Sequence, residues 1–294
     1  MLPDFRQTRM ARLRGAQNAD GGWGYFPGKL SRLEPTCYSL LALYGDESSS
    51  EAWKRGWNLV QSWQGKDGST RPAATIAGSS WATSLVVTLH CVNQSYGTQV
   101  AAGVSWLLGS KGSEGGLLER GLALIRRMPI DYDRRYKGWP WSTETSSWIE
   151  PTSHSILALK KAARKIQVAG LSDRVTEGER MILDRRSPDG GWNYGNSRVL
   201  EAPLPSYPET TGVALIGLQG SSLMKDADRA LAVAERHRAG TRSRLAKAWL
   251  TISLRNYGKN IVLDGPDEPG EDLMIVALEA LASPNGGHQW LKPA

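Results

Sequence analysis

Asp20-Gly-Gly-Trp-Gly-Tyr25 leads, after a short loop, into Glu34-Pro-Thr-Cys-Tyr-Ser-Leu-Leu-Ala-Leu43, and this two-part signal recurs along the chain. A second copy runs from Asp67-Gly68 to Trp81-Ala-Thr-Ser-Leu-Val-Val-Thr-Leu89, and a third from Gly138-Trp-Pro-Trp141 to Glu150-Pro-Thr-Ser-His-Ser-Ile-Leu-Ala-Leu159. A fourth runs from Asp189-Gly-Gly-Trp-Asn-Tyr194 to Glu209-Thr-Thr-Gly-Val-Ala-Leu-Ile-Gly-Leu218. Asp20 precedes Glu34 by 14 residues and Asp67 precedes Trp81 by 14, while Trp23–Glu34 and Trp139–Glu150 are both 11 apart. The fourth copy carries a six-residue insertion in the Pro-rich stretch Glu201–Pro208. A degenerate fifth copy ends in Glu271–Leu281 and sets Asp272 opposite Glu34. Self-similarity at such a period is the signature of a repeat architecture, with units beginning near residues 20, 67, 138, 189 and 258.

Each copy reads as a Gly-Trp turn, an acidic-Pro/Thr-Thr step, an apolar helix and a second helix. Proline directly after the acid suits the first turn of a helix, where its missing N–H removes no bond. The first helices carry few charges and should be buried on most sides. The second helices, Glu51–Gln64, Thr98–Leu108, Asp173–Asp184 and Lys225–Arg238, mix charges with a Leu/Val/Trp/Ala stripe and read as amphipathic. Ser243–Tyr257 reads as another of these, and Asp4–Gln17 as an outer helix entering the first turn. Alternating buried and amphipathic helices predict an all-α fold of two concentric layers, an α/α toroid of about five helix pairs in a single domain spanning 1–294. An open HEAT-like solenoid is the competing geometry.

The 294 residues include 32 Gly, 12 Trp and 2 Cys, with 40% hydrophobic residues. That composition is globular and excludes collagen, a disulfide scaffold and disorder. No run approaches the ~20 apolar residues of a membrane span, and the N-terminus lacks the apolar core of a secretory signal. A reducing cytoplasm, with contact to a membrane surface left open, is the expected location. The net charge of +7, with Arg6, Arg9, Arg12 and Arg14 in one cluster and Arg126, Arg127, Arg134 and Arg135 in another, favours anionic partners in general. No nucleic-acid motif accompanies it, and nucleic acid is not an expected partner.

Gln17-Asn-Ala-Asp-Gly-Gly-Trp23 resembles the QW repeat of squalene–hopene cyclases, and Asp189-Gly-Gly-Trp192 is a second copy without the glutamine. Over residues 10–282 the chain is similar to the terpenoid cyclase/protein prenyltransferase superfamily, which implies the α/α toroid and an apolar isoprenoid or lipid ligand. Class II cyclases of that superfamily carry a DxDD-T motif at the start of an inner helix. The matching steps here are Glu34-Pro35-Thr36, Glu150-Pro151-Thr152 and Glu209-Thr210-Thr211, with one acid and no neighbouring carboxylates. Asp131-Tyr-Asp133 supplies a DxD but is followed by Arg134-Arg135 and reads as a solvated turn. Thr36-Cys37-Tyr38 resembles the segment after the zinc histidine of protein prenyltransferase β subunits, but Pro35 stands where that histidine would be. No metal or cofactor is expected from that match.

Glu34, Glu150, Glu209 and Asp272 share one repeat position, so a closed toroid would bring them to one mouth. Four residues after Glu34, Trp81, Glu150 and Glu209 lie Tyr38, Leu85, His154 and Val213, which pairs Glu150 with His154 on one helix face. These acids are candidate proton donors for cyclisation or isomerisation, with Glu150 as acid and His154 as its orienting partner. A neutral carboxylic acid needs burial or like-charged neighbours, and cationic intermediates need π-faces. Trp81, Trp139, Trp141, Tyr38, Tyr194 and Tyr207 are the expected ligand contacts, with Tyr25 and Trp148 on the same loops. Trp23 and Trp192 are expected to staple their turns, and Trp53, Trp57, Trp63, Trp106 and Trp249 to pack in the outer layer. The acids are equally compatible with helix capping in a non-catalytic lipid-binding or interaction scaffold, or with a divalent cation. A third reading is a prenyl-diphosphate transferase with Arg71, Arg134 and Arg135 on the anion.

Overall fold

The computed structural model describes residues 4–79, 81–114, 132–199, 202–263, 266 and 268–293. Among them are eleven α-helices: α1 (Phe5–Gly15), α2 (Leu33–Leu43), α3 (Ser50–Trp63), α4 (Thr83–Val92), α5 (Thr98–Gly109), α6 (Ile149–Ala162), α7 (Leu171–Asp184), α8 (Pro208–Leu218), α9 (Ala227–Gly240), α10 (Arg244–Asn256) and α11 (Leu273–Ala282). One two-stranded hairpin, Arg198–Val199 against Ala202–Pro203, lies in the insertion of the fourth repeat. Helices α2, α4, α6, α8, α10 and α11 pack in that order and α11 returns to α2, so the ring is closed and the open solenoid is excluded. Around it, α3 packs on α2, α5 on α4 and α6, α7 on α6, α9 on α8 and α10, and α1 on α11. The fold is an all-α toroid.

Layering follows from side-chain chemistry. Every residue of α2 except Glu34 is buried, whereas α3 buries a stripe of Gly56, Trp57, Val60 and Trp63. Helix α10 departs from expectation. Its charges at Arg244, Lys247 and Arg255 gave Ser243–Tyr257 an amphipathic look, yet it stands in the inner ring between α8 and α11, with Ala246 and Ala248 to Leu254 buried. No Gly-Trp turn precedes it, which is why the repeat pattern concealed a sixth inner helix.

Three inner helices, α2, α6 and α8, are hung from their Gly-Trp turns by the same hydrogen bonds. The Thr at the fourth helical position accepts from the tryptophan backbone N–H: Trp23 to Thr36 at 3.0 Å, Trp139 to Thr152 at 2.9 Å and Trp192 to Thr211 at 3.1 Å. The same hydroxyls donate back to the tryptophan carbonyls. Each indole Nε1–H reaches the end of the preceding outer helix, at Leu13 O, Leu107 O and Ile182 O, over 2.7–2.8 Å. The turn itself needs its glycines. Gly21 and Gly190 have φ of 93° and 105°, and a Cβ on Gly21 would lie 2.7 Å from Arg55 O. The aspartate before them accepts from the second glycine and from Ser31 or Ser206.

Buried charge closes the ring. Glu279 of α11 pairs with Arg9 of α1 at 3.2 Å and with Arg244 of α10 at 2.6 Å, and Arg9 and Glu279 are 0% and 2% exposed. At the opposite end, the turn His288–Leu291 crosses the C-terminal ends of α6, α8 and α10. Gln219 and Asn256 donate to Leu291 O, and Lys161 donates to Lys292 O.

The clasp makes a testable statement. Thr152→Val keeps the shape but leaves the buried Trp139 N–H unpaired, and should lower unfolding free energy by about 1–3 kcal/mol. Urea unfolding of the variant, beside an exposed Thr145→Val control, measures it. A loss no larger than the control's would mean the clasp is dispensable.

Candidate active site

The clasps set the inner helices starting at one end of the ring, and the repeat acids gather there. Leu33 N–H bonds Pro72 O, Ile149 N–H bonds Tyr194 O and Leu273 N–H bonds Tyr25 O, so each of these helix starts is tied to the loop of another repeat. Asp272 differs from the other acids. Its carboxylate caps α11, accepting from Met274 N–H at 3.0 Å and Ile275 N–H at 3.2 Å. No side chain caps α2, α6 or α8, so Glu34, Glu150 and Glu209 are held at the mouth without serving their helix ends.

Two of the three have a tyrosine partner. Tyr25 donates to Glu34 Oε2, and Tyr194 donates to Glu209 Oε1 at 2.9 Å. Glu150 has no hydrogen bond or ion pair with any described residue. Burial, with the negative charges of Glu34 and then Glu209 adding to it, pushes its carboxyl up to about 8. Burial also raises Glu34, the Tyr25 hydroxyl offsets part of this, and Asp272 adds to it. Tyr194 is pushed up to about 12 by burial and by its bond to Glu209. The shift favours the neutral carboxylic acid form of Glu150.

Beneath the acids the axis is filled. Tyr38 of α2, Trp81 at the foot of α4, His154 of α6 and Trp249 of α10 meet there. Trp81 and His154 rings are 5.4 Å apart, His154 and Trp249 5.6 Å, and Tyr38 and Trp249 5.5 Å. His154 does not bond Glu150, as helical spacing had predicted. Its Nε2 pairs with the Tyr38 hydroxyl at 3.2 Å, because the closed ring brings α2 across to it. Its Nδ1 is buried without a partner, and burial drives its pKa down to about 3. A pocket of ≈290 Å³ opens at the mouth, lined by Tyr25, Arg32, Leu33, Glu34, Pro72, Trp81 and Ala82. That is close to the lower bound of ~300–1,000 Å³ for ligand sites.

The predicted aromatic contacts divide four ways. Trp81 lines the pocket and packs T-shaped on Trp141 at 5.0 Å. Tyr194 and Tyr207 form an exposed pair at 5.3 Å, 46% and 41% accessible, beside Glu209. Tyr38 is fully buried below the mouth. Trp139 does not line the pocket: it is 1% exposed and clasped like Trp23 and Trp192, with Arg174 stacked on its ring at 3.5 Å. Trp249, assigned by its amphipathic sequence to the outer layer, faces the axis. Arg32 and Pro72 join the pocket from loops that carry no motif.

The remaining sequence candidates lie elsewhere. Arg126, Arg127 and Asp131 fall outside the described residues. Asp133 pairs with Arg135 at 2.6 Å, and Arg135 borders a cleft on the outer helix α7 with Tyr136, Asp173, Thr176, Glu177 and Arg180. Among the described residues no group of His, Cys, Asp or Glu has metal-binding geometry, and no helix is long and apolar enough to cross a membrane.

No family model matches the chain, and no curated protein matches it by sequence. Solved structures do match in fold. Type II terpene cyclase MstE from Scytonema, in a variant bound to geranylgeranyl dihydroxybenzoate, is 16% identical over 99% of this chain and 77% of that one, with a TM-score of 0.55. Endoglucanase Cel10 from Klebsiella pneumoniae, a family 8 glycosyl hydrolase, is 13% identical over 94% and 97%, with a TM-score of 0.60. The family 76 mannosidase Bt3792 from Bacteroides thetaiotaomicron is 13% identical over 94% and 96%, with a TM-score of 0.57. Enzymes of unrelated chemistry thus share this architecture, and the chain is an α/α toroid similar to both groups.

Proposed function

We propose that the chain is an acid catalyst acting on an isoprenoid or similar apolar chain held at the toroid mouth, by cyclisation or isomerisation. One observation carries the reading: Glu150, whose carboxyl burial pushes up to about 8, makes no hydrogen bond to any described residue and stands at the mouth of a barrel whose axis is aromatic. In the proposed step the Glu150 proton passes to one carbon of a double bond, leaving a carboxylate and a carbocation. Loss of a proton from a neighbouring carbon ends the reaction, and reprotonation of Glu150 resets it. A carboxyl this reluctant to ionise is a weak acid, so the cation must be stabilised by the ring faces of Trp81 and Trp141. Burial favours the neutral form of Glu150, the like charges of Glu34 and Glu209 add to it, and Asp272 is a cap. No cofactor enters this chemistry.

A second reading is glycoside cleavage, where a raised carboxyl protonates the leaving oxygen and a second carboxylate attacks or activates water. The observation favouring it is three carboxylates at an open mouth beside the exposed Tyr194–Tyr207 pair.

Glu150 links both readings to pH. Its folded value lies above that of an unfolded glutamate, so its contribution to stability is full below the ordinary carboxylate range and is lost as pH rises to about 8. Glu150→Gln cannot ionise. Between pH 5 and pH 9 the wild type should therefore lose roughly 2–4 kcal/mol relative to this variant, read from urea midpoints. Parallel profiles would place Glu150 in water and remove the basis of the proposal.

Turnover separates the chemistries. Purified protein is incubated with prenylated aromatics and linear polyprenes, and in parallel with aryl glycosides, and products are read by mass spectrometry. The expected result is a cyclised or isomerised prenyl product of unchanged mass, lost at least ~100-fold in Glu150→Gln and retained in Asp272→Asn. Sugar release abolished by the same substitution would replace the first reading with the second. Equal losses from Glu34→Gln, Glu150→Gln and Glu209→Gln would sink the idea of one donor.

A further inference from the structure

Trp81 stands at the repeat position where Glu34, Glu150 and Glu209 stand in the other copies. Its indole lines the mouth pocket on one side and touches Trp141 and His154 on the other, with 8% of the residue exposed. The pocket and the axial aromatic cluster therefore share this one ring. Its tethering is also unlike that of the clasp tryptophans. Trp23, Trp139 and Trp192 are pinned by Nε1–H bonds to helix carbonyls, as is Trp53 to Leu40 O. No described residue accepts from Trp81 Nε1. Its backbone is nevertheless fixed, since Trp81 O accepts from Ser84 N–H at 3.0 Å and Ser84 Oγ at 2.9 Å. The side chain is held by ring contacts alone on an anchored backbone.

Behind that ring lies a polar atom with nothing to bond. His154 is 1% exposed and its Nδ1 has no partner, while Nε2 is engaged by Tyr38. Tyr38 and Trp249 complete an apolar, π-rich wall around it. We infer that Trp81 is the floor of the mouth pocket and the residue that sets how long an apolar chain the toroid accepts. This rests on the isoprenoid reading of the mouth and deepens it. With the indole in place, a ligand is confined to the ≈290 Å³ above it. With the indole removed, the volume it leaves extends the pocket down to the His154 ring it now packs against, and a longer chain enters.

The test is equilibrium binding, by calorimetry, of prenols with one to four isoprene units to the wild type, Trp81→Phe and Trp81→Ala. Wild-type affinity should stop rising after the first or second unit. Trp81→Ala should keep gaining and bind the four-unit prenol at least about tenfold more tightly than the wild type, with Trp81→Phe between them. Free indole should bind Trp81→Ala and not the wild type, reporting the vacated space without reference to prenols. The same length dependence in all three proteins would overturn Trp81 as the floor while leaving the mouth as a prenyl site. Failure of every protein to bind any prenol, with indole still filling Trp81→Ala, would overturn the isoprenoid reading and the length assignment with it. If Trp81→Ala does not fold, Trp81→Phe against the wild type decides, since an unchanged length limit in it contradicts the inference.

Discussion

Everything at the mouth depends on the bond between a tryptophan backbone N–H and a threonine hydroxyl one turn into the next inner helix. Repeated at Thr36, Thr152 and Thr211, it fixes where each helix begins relative to its Gly-Trp turn. The paired indole bond to the preceding outer helix then sets the radial position of that turn. With both coordinates fixed, the residue at the second helical position has no freedom to face elsewhere. Carboxylates on α2, α6 and α8 are thereby forced to one opening. The like-charge crowding that adds to the effect of burial on Glu150 is thus a consequence of backbone architecture, since the acids themselves make no bonds to one another.

The same constraint explains why the acids are unequal. A helix N-terminus offers free N–H groups and a favourable dipole, which normally lower a carboxyl's pKa. Asp272, at the N-cap, accepts two of those N–H groups. Glu34, Glu150 and Glu209 sit two positions further in, after the cap, and their longer side chains project toward the mouth. Tyr25 and Tyr194 satisfy two of them. Glu150 is left with neighbours of its own sign, and burial decides its state.

Much of this was legible in the sequence, because turn residues and helix periodicity are local. Asp-Gly-Gly-Trp needs a left-handed glycine at Gly21 and Gly190, and Glu-Pro-Thr announces a helix start, so the toroid and the shared position of the acids followed from spacing. What the sequence hid was relation across the ring. The pairing of Glu150 with His154 was a statement about one helix, and α2 overrode it by presenting Tyr38 to the imidazole. Trp139 looked like a pocket residue because it lies on a mouth-forming loop, yet its indole is bonded to Leu107 O and its backbone N–H to Thr152. Trp249 was hidden by charges at the two ends of α10, where Arg244 and Arg255 bond Glu279 and the carbonyls closing the ring. In a closed ring, those end charges do not mark an outer face.

The toroid alone does not select a chemistry, since cyclases and glycoside hydrolases both resemble it in fold. What distinguishes one use from another is how deep the opening runs and what it is lined with. A sugar chain lies along a groove and needs hydroxyl partners on both sides. An apolar chain needs depth and dry walls. Here the described axis holds aromatic rings, branched aliphatics such as Leu157, Val213 and Ile216, and one imidazole that burial keeps neutral. A neutral imidazole among π-faces presents no charge to repel a passing cation, whereas a protonated one would. The burial that leaves His154 Nδ1 unsatisfied is therefore the same property that would make the axis tolerant of positive charge, and it ties the interior of the ring to the acid at its mouth.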